Sequence, residues 1–283
     1  MFRARRTSEH MAIALFVGII LFFIQSFICG SKLIENGIVL KAISALLSVV
    51  RLGTPVWIFA RMQKNAGFEE CKIENTEKCS VKYNITLAFA GFAVIFILGI
   101  LYSAAFPMAA TSFNDKSTAT VFFTVLGSAV VPAVFEEYLY RRFLCKELTI
   151  HGGAFAIIIS SLLFALAHFS FNTFPYAFIC GVVLGAVYLK TGSVKYTVAI
   201  HFANNLLGYV ISLIGSGMNA TDYMNMMVLI IIALAVMLLG AFYVIFPNKE
   251  RFALCQNGNV PSSAFLTFPM VVYIFCSVLM NFI

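Results

Sequence analysis

The sequence predicts an all-α, polytopic transmembrane helix bundle of about eight to nine spans with its N-terminus in the cytoplasm. Three observations predict it. Of 283 residues, 61% are hydrophobic and 11% charged, and the mean hydropathy is +0.95; soluble domains carry about 25% charged and roughly 45–50% apolar residues. Apolar stretches of near-spanning length recur along the whole chain. Lysines and arginines gather in alternate connections, the bias that orients a membrane protein.

A spanning helix needs about 20 mainly apolar residues. Nine segments qualify: 11–30, 38–60, 83–106, 119–140, 153–169, 174–190, 194–214, 226–247 and 264–282. The first follows Arg3, Arg5 and Arg6. Its apolar run is longer than a signal-peptide core and no clean small-x-small site follows, so it reads as an uncleaved signal anchor. The second is interrupted by Lys41 and Arg51, which leaves open whether 38–60 crosses. With the N-terminus inside, fifteen basic residues fall on the cytoplasmic side, among them Arg61, Lys64, Arg141, Arg142, Lys146, Lys190 and Lys195; the other side keeps Lys32 and Lys116.

The loop 61–82, with Glu69, Glu70, Glu74 and Glu77 among its lysines, reads as a solvated amphipathic connector. Cys71 and Cys79 share it, but no second Cys or His pair completes a zinc site there. The chain divides into an N-terminal membrane region 1–110, a core 111–215 that carries the chemistry, and C-terminal helices 216–283. The net charge of +7 follows the loops rather than a patch, so the expected surroundings are membrane lipid and not nucleic acid.

Ionisable groups inside spans each cost about 2.5–3.5 kcal/mol at a helix centre, so they mark functional sites. Ten of the twelve acidic residues lie in loops or termini; the exceptions are adjacent, Glu136 and Glu137, near the cytoplasmic end of the fourth span. Glu137 and Arg141 are four apart and share a helix face. Glu136 is rotated about 100° away. Two adjacent carboxylates repel in a poor dielectric, so an arginine holding one ionised leaves the other poised to exchange a proton as a general base. Pro132, one turn earlier, removes a backbone hydrogen bond and opens the helix. His168 and His201 also lie in apolar spans, and His201 shares a face with Asn205.

Each of these has an ordinary structural reading: a satisfied packing histidine, a Glu–Arg clamp, a core Phe164. The argument rests on their coincidence in three short clusters at similar depth. Other intramembrane protease chemistries fail. No His-Glu-x-x-His occurs. The two aspartates, Asp115 and Asp222, lie in loops. No Gly-x-Ser-x-Gly elbow appears.

The clusters Glu136-Glu137…Arg141, Phe164…His168 and His201…Asn205 together resemble the CPBP family, the CAAX proteases and bacteriocin-processing (Abi) proteins, whose signature is E-E-x-x-x-R, F-x-x-x-H and H-x-x-x-N or D. The resemblance covers roughly 119–214. It implies an eight-helix type of bundle with a conical cavity open to the cytoplasm. By family roles, Glu136 and His168 activate a water, His201 and Asn205 stabilise the oxyanion, and Glu137 and Arg141 orient and neutralise. The expected activity is intramembrane endopeptidase, acting on a prenylated CAAX-type tail or a leader peptide near the cytoplasmic face. A metal-independent glutamate mechanism is favoured, with no cofactor expected; zinc stays open, since a Glu/His/His set can bind it. The expected location is the plasma membrane of a prokaryote. Two rivals are a non-catalytic scaffold of the same fold, which has no need of all six groups, and a proton-coupled transporter, which would show repeated halves.

Overall fold

The computed structural model describes residues 1–31, 34, 36–68, 71, 80–106, 117–245, 258 and 260–282. Among these residues there are nine helices and no strand: α1 (Phe2–Gly30), α2 (Gly37–Asn65), α3 (Val81–Ala105), α4 (Thr118–His151), α5 (Gly153–Leu166), α6 (Phe174–Thr191), α7 (Val194–Gly215), α8 (Ala220–Ile245) and α9 (Phe268–Met280). Seven are long and apolar enough to cross a membrane; α5 and α9 are shorter, with 14 and 13 residues. The protein is therefore a multi-pass helical membrane bundle.

Local chemistry sets the helix starts. Asn36 Oδ1 accepts from the backbone N–H groups of Ile38 and Val39 at the head of α2. Ser80 and Ser117 do the same for Tyr83 and Thr120, opening α3 and α4. Pro175 and Pro269 occupy the first turns of α6 and α9, where a missing N–H costs nothing. Gly192, at φ +65°, ends α6 in the left-handed region.

The boundaries differ from the hydropathy reading in instructive places. Helix α1 already includes Arg3, Arg5 and Arg6. Helix α4 does not stop near 140 but continues to 151, because Arg141 is fully buried and behaves as part of the bundle interior. The Glu136-Glu137 pair thus lies in the middle of α4, not near its end. The segment expected at 153–169 is helical only to Leu166. The segment expected at 226–247 begins earlier, at Ala220. Residues 69, 70 and 72–79 of the connector 61–82, among them Glu69, Glu70, Glu74, Glu77 and Cys79, lie outside the described residues, as do Lys32, Lys116 and Asp115.

Contacts at one end of the bundle bring basic helix ends together. Arg3 pairs with Glu147 at 3.1 Å, Gln63 Nε2 donates to Thr7 Oγ1 at 3.3 Å, and His10 Nδ1 lies 3.1 Å from Gln63 Oε1. The main core joins α1, α4, α5, α6 and α9 through Met11, Leu15, Leu144, Leu163, Phe164, Tyr188 and Tyr273. A second cluster, with Leu87, Ile95, Leu184 and Ile200, joins α3, α6 and α7. Helices α5 and α6 approach so closely that a Cβ at Gly181 would stand 2.9 Å from the Ser161 backbone Cα. This close pair carries His168 between its two members.

Candidate active site

Helix α4 carries the acidic pair on an irregular backbone. Its α-helical turns Val131–Glu137 lie between two π-helical stretches, Leu126–Val130 and Tyr138–Cys145. Pro132 supplies no N–H, so the carbonyl four residues before it, that of Ser128, lacks its α-helical donor. Asn205 Nδ2 of α7 donates to that carbonyl at 3.2 Å. The proline anticipated as a kink is thus also a docking point for a predicted site residue.

Glu137 lies between two partners, one on each oxygen. Arg141 Nε is 3.2 Å from Oε2, with both side chains 0% exposed. His201 Nδ1 is 2.9 Å from Oε1. The arginine contact is an ion pair without hydrogen-bond alignment, since none of the three guanidinium nitrogens has a hydrogen-bond partner among the described residues. Instead the guanidinium lies over the Phe164 ring, 4.8 Å from its centroid, a cation–π contact that suits a desolvated arginine. The i,i+4 pairing read from the sequence holds although Tyr138–Cys145 is π-helical; a turn about one residue wider still returns the fourth residue to nearly the same face.

The ring of His201 connects the two carboxylates. An ionised Glu137 only accepts, so Nδ1 carries the proton. Nε2 then faces Glu136 Oε2 at 3.8 Å, beyond hydrogen-bond length but well inside Coulombic range. His168, just past the end of α5, has Nδ1 2.9 Å from the Phe164 carbonyl. A carbonyl also only accepts, so Nδ1–H is the donor and Nε2 is left as a proton acceptor. The next residue, Phe169, takes φ +48°, uncommon for an aromatic residue, and its ring packs at 4.7 Å on Phe22.

Of the six predicted residues, Glu136, Glu137, Arg141 and His201 form one connected group. His168 joins it through the Phe164 ring, 4.8 Å from His168 and 5.9 Å from His201; no hydrogen bond links His168 to Glu136 among the described residues. Asn205 stands one turn beyond His201 on α7. Phe164, which alone reads as packing, therefore touches Arg141 and both histidines. Ser128, Tyr176 and Asn204 are participants that sequence reasoning missed. Only Ser128 had a signal, as the residue four before Pro132. Among the described residues no group of three or more His, Cys, Asp or Glu side chains is arranged to hold a metal ion.

A cavity of about 490 Å³ reaches Asn205. Its walls include Phe96, Ser103, Ser128, Tyr176, Ser212 and Tyr223. These lie in the later halves of α3 and α7, in the first half of α4 and at the starts of α6 and α8, on the half of the bundle away from the end where Arg3 meets Glu147. The resemblance implied a conical cavity open to the cytoplasm; the cavity at Asn205 lies toward the end of the bundle opposite the Arg3–Glu147 pair.

Residues 118–207 match the family described as Rce1-like, type II CAAX prenyl endopeptidase Rce1-like, and all six site residues fall inside that stretch. A curated relative, the membrane-embedded CAAX protease MroQ of Staphylococcus aureus, is 31% identical over 156 residues, an alignment covering 50% of this chain and 62% of that protein. The match thus spans less than two thirds of that relative's length. No solved structure matches the chain. With the acidic pair, both histidines and the asparagine in this order along a membrane bundle, residues 118–207 are similar to the CPBP/CAAX protease family.

Proposed function

We propose that the protein is an intramembrane endopeptidase in which Glu136 is the general base for hydrolysis of a peptide bond, without a resident metal. The observation that carries this reading is His201, with Nδ1 2.9 Å from Glu137 and Nε2 3.8 Å from Glu136. Glu137 is neutralised by Arg141 and accepts from His201 Nδ1–H, which fixes the orientation of the ring. Glu136, with 13% of its side chain exposed against 0% for Glu137, is the carboxylate able to meet water.

In the proposed cycle, water gives a proton to the Glu136 carboxylate while its oxygen attacks the scissile carbonyl carbon. His168, with Nε2 free to accept, orients the water. The carbonyl electron pair moves onto oxygen, and the oxyanion is met by the second N–H of the Asn205 amide and by His201, which enters and leaves the cycle as the imidazolium, with Nδ1–H on Glu137 and Nε2–H on the oxyanion. Collapse of the intermediate breaks the C–N bond, and Glu136 returns its proton to the departing amine. Removing one oxyanion donor in such chemistry costs about 10²–10³ in rate. The substrates expected are prenylated CAAX-type tails or leader peptides.

The test is cleavage of farnesylated CAAX-tail peptides and of leader peptides by the purified full chain in detergent, beside Glu136→Ala and with chelator. Loss of about 10²–10⁴-fold in the variant is expected for a general base, with no effect of chelator. Wild-type rates from Glu136→Ala would sink the assignment, and abolition by chelator would sink its metal-free part. A folded chain that cleaves neither class would favour a scaffold. The peptide class that is cut names the substrate.

A further inference from the structure

A line of hydrogen bonds runs from α6 through α7 to α4, beside the six-residue site. Tyr176 Oη donates to Asn204 Oδ1 at 3.0 Å. Asn204 Nδ2 donates to Asn205 Oδ1 at 3.3 Å. Asn205 Nδ2 donates to the Ser128 carbonyl at 3.2 Å. The direction of this line follows from chemistry. A backbone carbonyl only accepts, so Asn205 must turn its NH2 toward Ser128. Its oxygen is then left to accept, which turns the Asn204 NH2 toward it. The Asn204 oxygen in turn needs a donor, and a phenol supplies one. Tyr176 has a longer alternative, the Ile95 carbonyl at 3.5 Å. Reversing any one amide would set acceptor against acceptor or donor against donor.

We infer that Tyr176 and Asn204 are positioning residues that fix the orientation of the Asn205 amide at the wall of the cavity. One N–H of Asn205 is anchored on Ser128. The second is thereby aimed in a constant direction, which is what an oxyanion donor needs. Gly99 belongs to the same device. A Cβ there would stand 2.8 Å from Tyr176 Oη and 3.1 Å from its Cζ, so glycine lets the phenol reach Asn204. The inference rests on the proposed endopeptidase reading for its kinetic consequence, but not for the geometry.

The experiment compares the wild-type chain with Tyr176→Phe, Asn204→Leu, Asn204→Asp and Gly99→Ala, with Gly240→Ala as a control because nothing lies within 4 Å of its added Cβ. On the farnesylated CAAX-tail or leader peptide that the wild type cleaves, kcat falls between about 10-fold and 10²-fold, the scale of a misplaced group of about 1 Å. KM stays within about twofold, and thermal midpoints match the control. Asn204→Asp is as damaging as Asn204→Leu, since a carboxylate cannot donate to Asn205. A second readout is independent of activity. In chains labelled with 15N-asparagine, the Asn205 NH2 pair, assigned by its loss in Asn205→Asp, shifts and exchanges faster in Tyr176→Phe and Gly99→Ala. Unchanged kcat in all four variants while Glu136→Ala is inactive overturns the positioning role. An unchanged amide spectrum overturns it even if no peptide is cleaved. A Glu136→Ala chain that still cleaves would remove the catalytic reading and leave the amide spectrum to decide this one.

Discussion

Breaking the Glu137–Arg141 pair and replacing it are predicted to have very different effects. At 3.2 Å the Coulomb attraction is about 5 kcal/mol with an effective dielectric near 20, and the Phe164 contact adds about 0.5–2 kcal/mol. Removing both charges from water offsets much of this. Arg141→Met leaves the Glu137 carboxylate buried with His201 and the Thr197 hydroxyl but no full counter-charge, and costs about 3–5 kcal/mol, the usual result of orphaning a buried charge. Glu137→Gln orphans the arginine instead and is similarly harmful. The double variant Glu137→Gln/Arg141→Met removes both charges and keeps side-chain volume, so it recovers to within about 1–2 kcal/mol of wild type. Reversible unfolding in SDS followed by circular dichroism gives the free energies. A thiol-reactive dye reporting exposure of Cys145, 0% exposed in the fold, gives an independent thermal midpoint. A double variant as unstable as Arg141→Met would refute the reasoning, because packing rather than charge would then be what Arg141 supplies. Cleavage is lost in all three variants, since His201 loses its ionised partner or gains a disordered one.

Two further outcomes are expected. Gly181→Ala places a methyl 2.9 Å from the Ser161 Cα and 2.7 Å from its Cβ, so α5 and α6 must separate at a cost of about 1–3 kcal/mol; Gly185→Ala comes no nearer than 3.3 Å to the Ile157 side chain and 3.6 Å to its Cα, and lowers the thermal midpoint less, an order that equal losses would contradict. Cys71 sits against Glu147, its Sγ 3.3 Å from Oε2. Burial, followed by the Glu147 charge, pushes its thiol up from 9.0 to about 12. The raised value means that its stabilising share is complete below about pH 9 and is lost as pH climbs toward 12. Alkylation of Cys71, read by peptide mass spectrometry at pH 8, is therefore about 10³-fold slower than for a free thiol, and Glu147→Gln accelerates it; free-thiol rates in the wild type would contradict the contact.

The sequence made the fold class and the composition of the site legible for one physical reason: lipid penalises charge. Every ionisable group kept within an apolar stretch stands out, so Glu136, Glu137, Arg141, His168 and His201 could be found one by one. Helix periodicity then joined Glu137 to Arg141, and the distance of 3.2 Å agrees. The ends of helices were less legible, for the same reason. Hydropathy treats Arg141 as the edge of the membrane, whereas its partner Glu137 and the face of Phe164 let it remain at 0% exposure with α4 continuing ten residues beyond it. The polar line through Tyr176 and Asn204 was illegible. An uncharged tyrosine and an asparagine next to another asparagine carry no penalty large enough to mark them, and nothing local says that α6 and α7 bring them together.

The irregularity of α4 ties these features into one device. A regular helix would satisfy its own carbonyls and present Glu136 on a closed cylinder. Here Pro132 withholds a donor, and π-helical turns on both sides of Val131–Glu137 widen the backbone where the acidic pair emerges, a pattern common at functional sites. The carbonyl so released, Ser128, is claimed by Asn205 at 3.2 Å. Meanwhile Glu137 holds His201, four residues earlier on α7, at 2.9 Å. Helix α7 is therefore fastened to α4 at two points one turn apart, by the two residues to which the oxyanion is assigned. Neither fastening would survive alone with the same geometry. A shift of α7 along its axis that kept the Asn205 bond would pull His201 from Glu137, so the pair sets the register of α7 and fixes both proposed donors relative to Glu136.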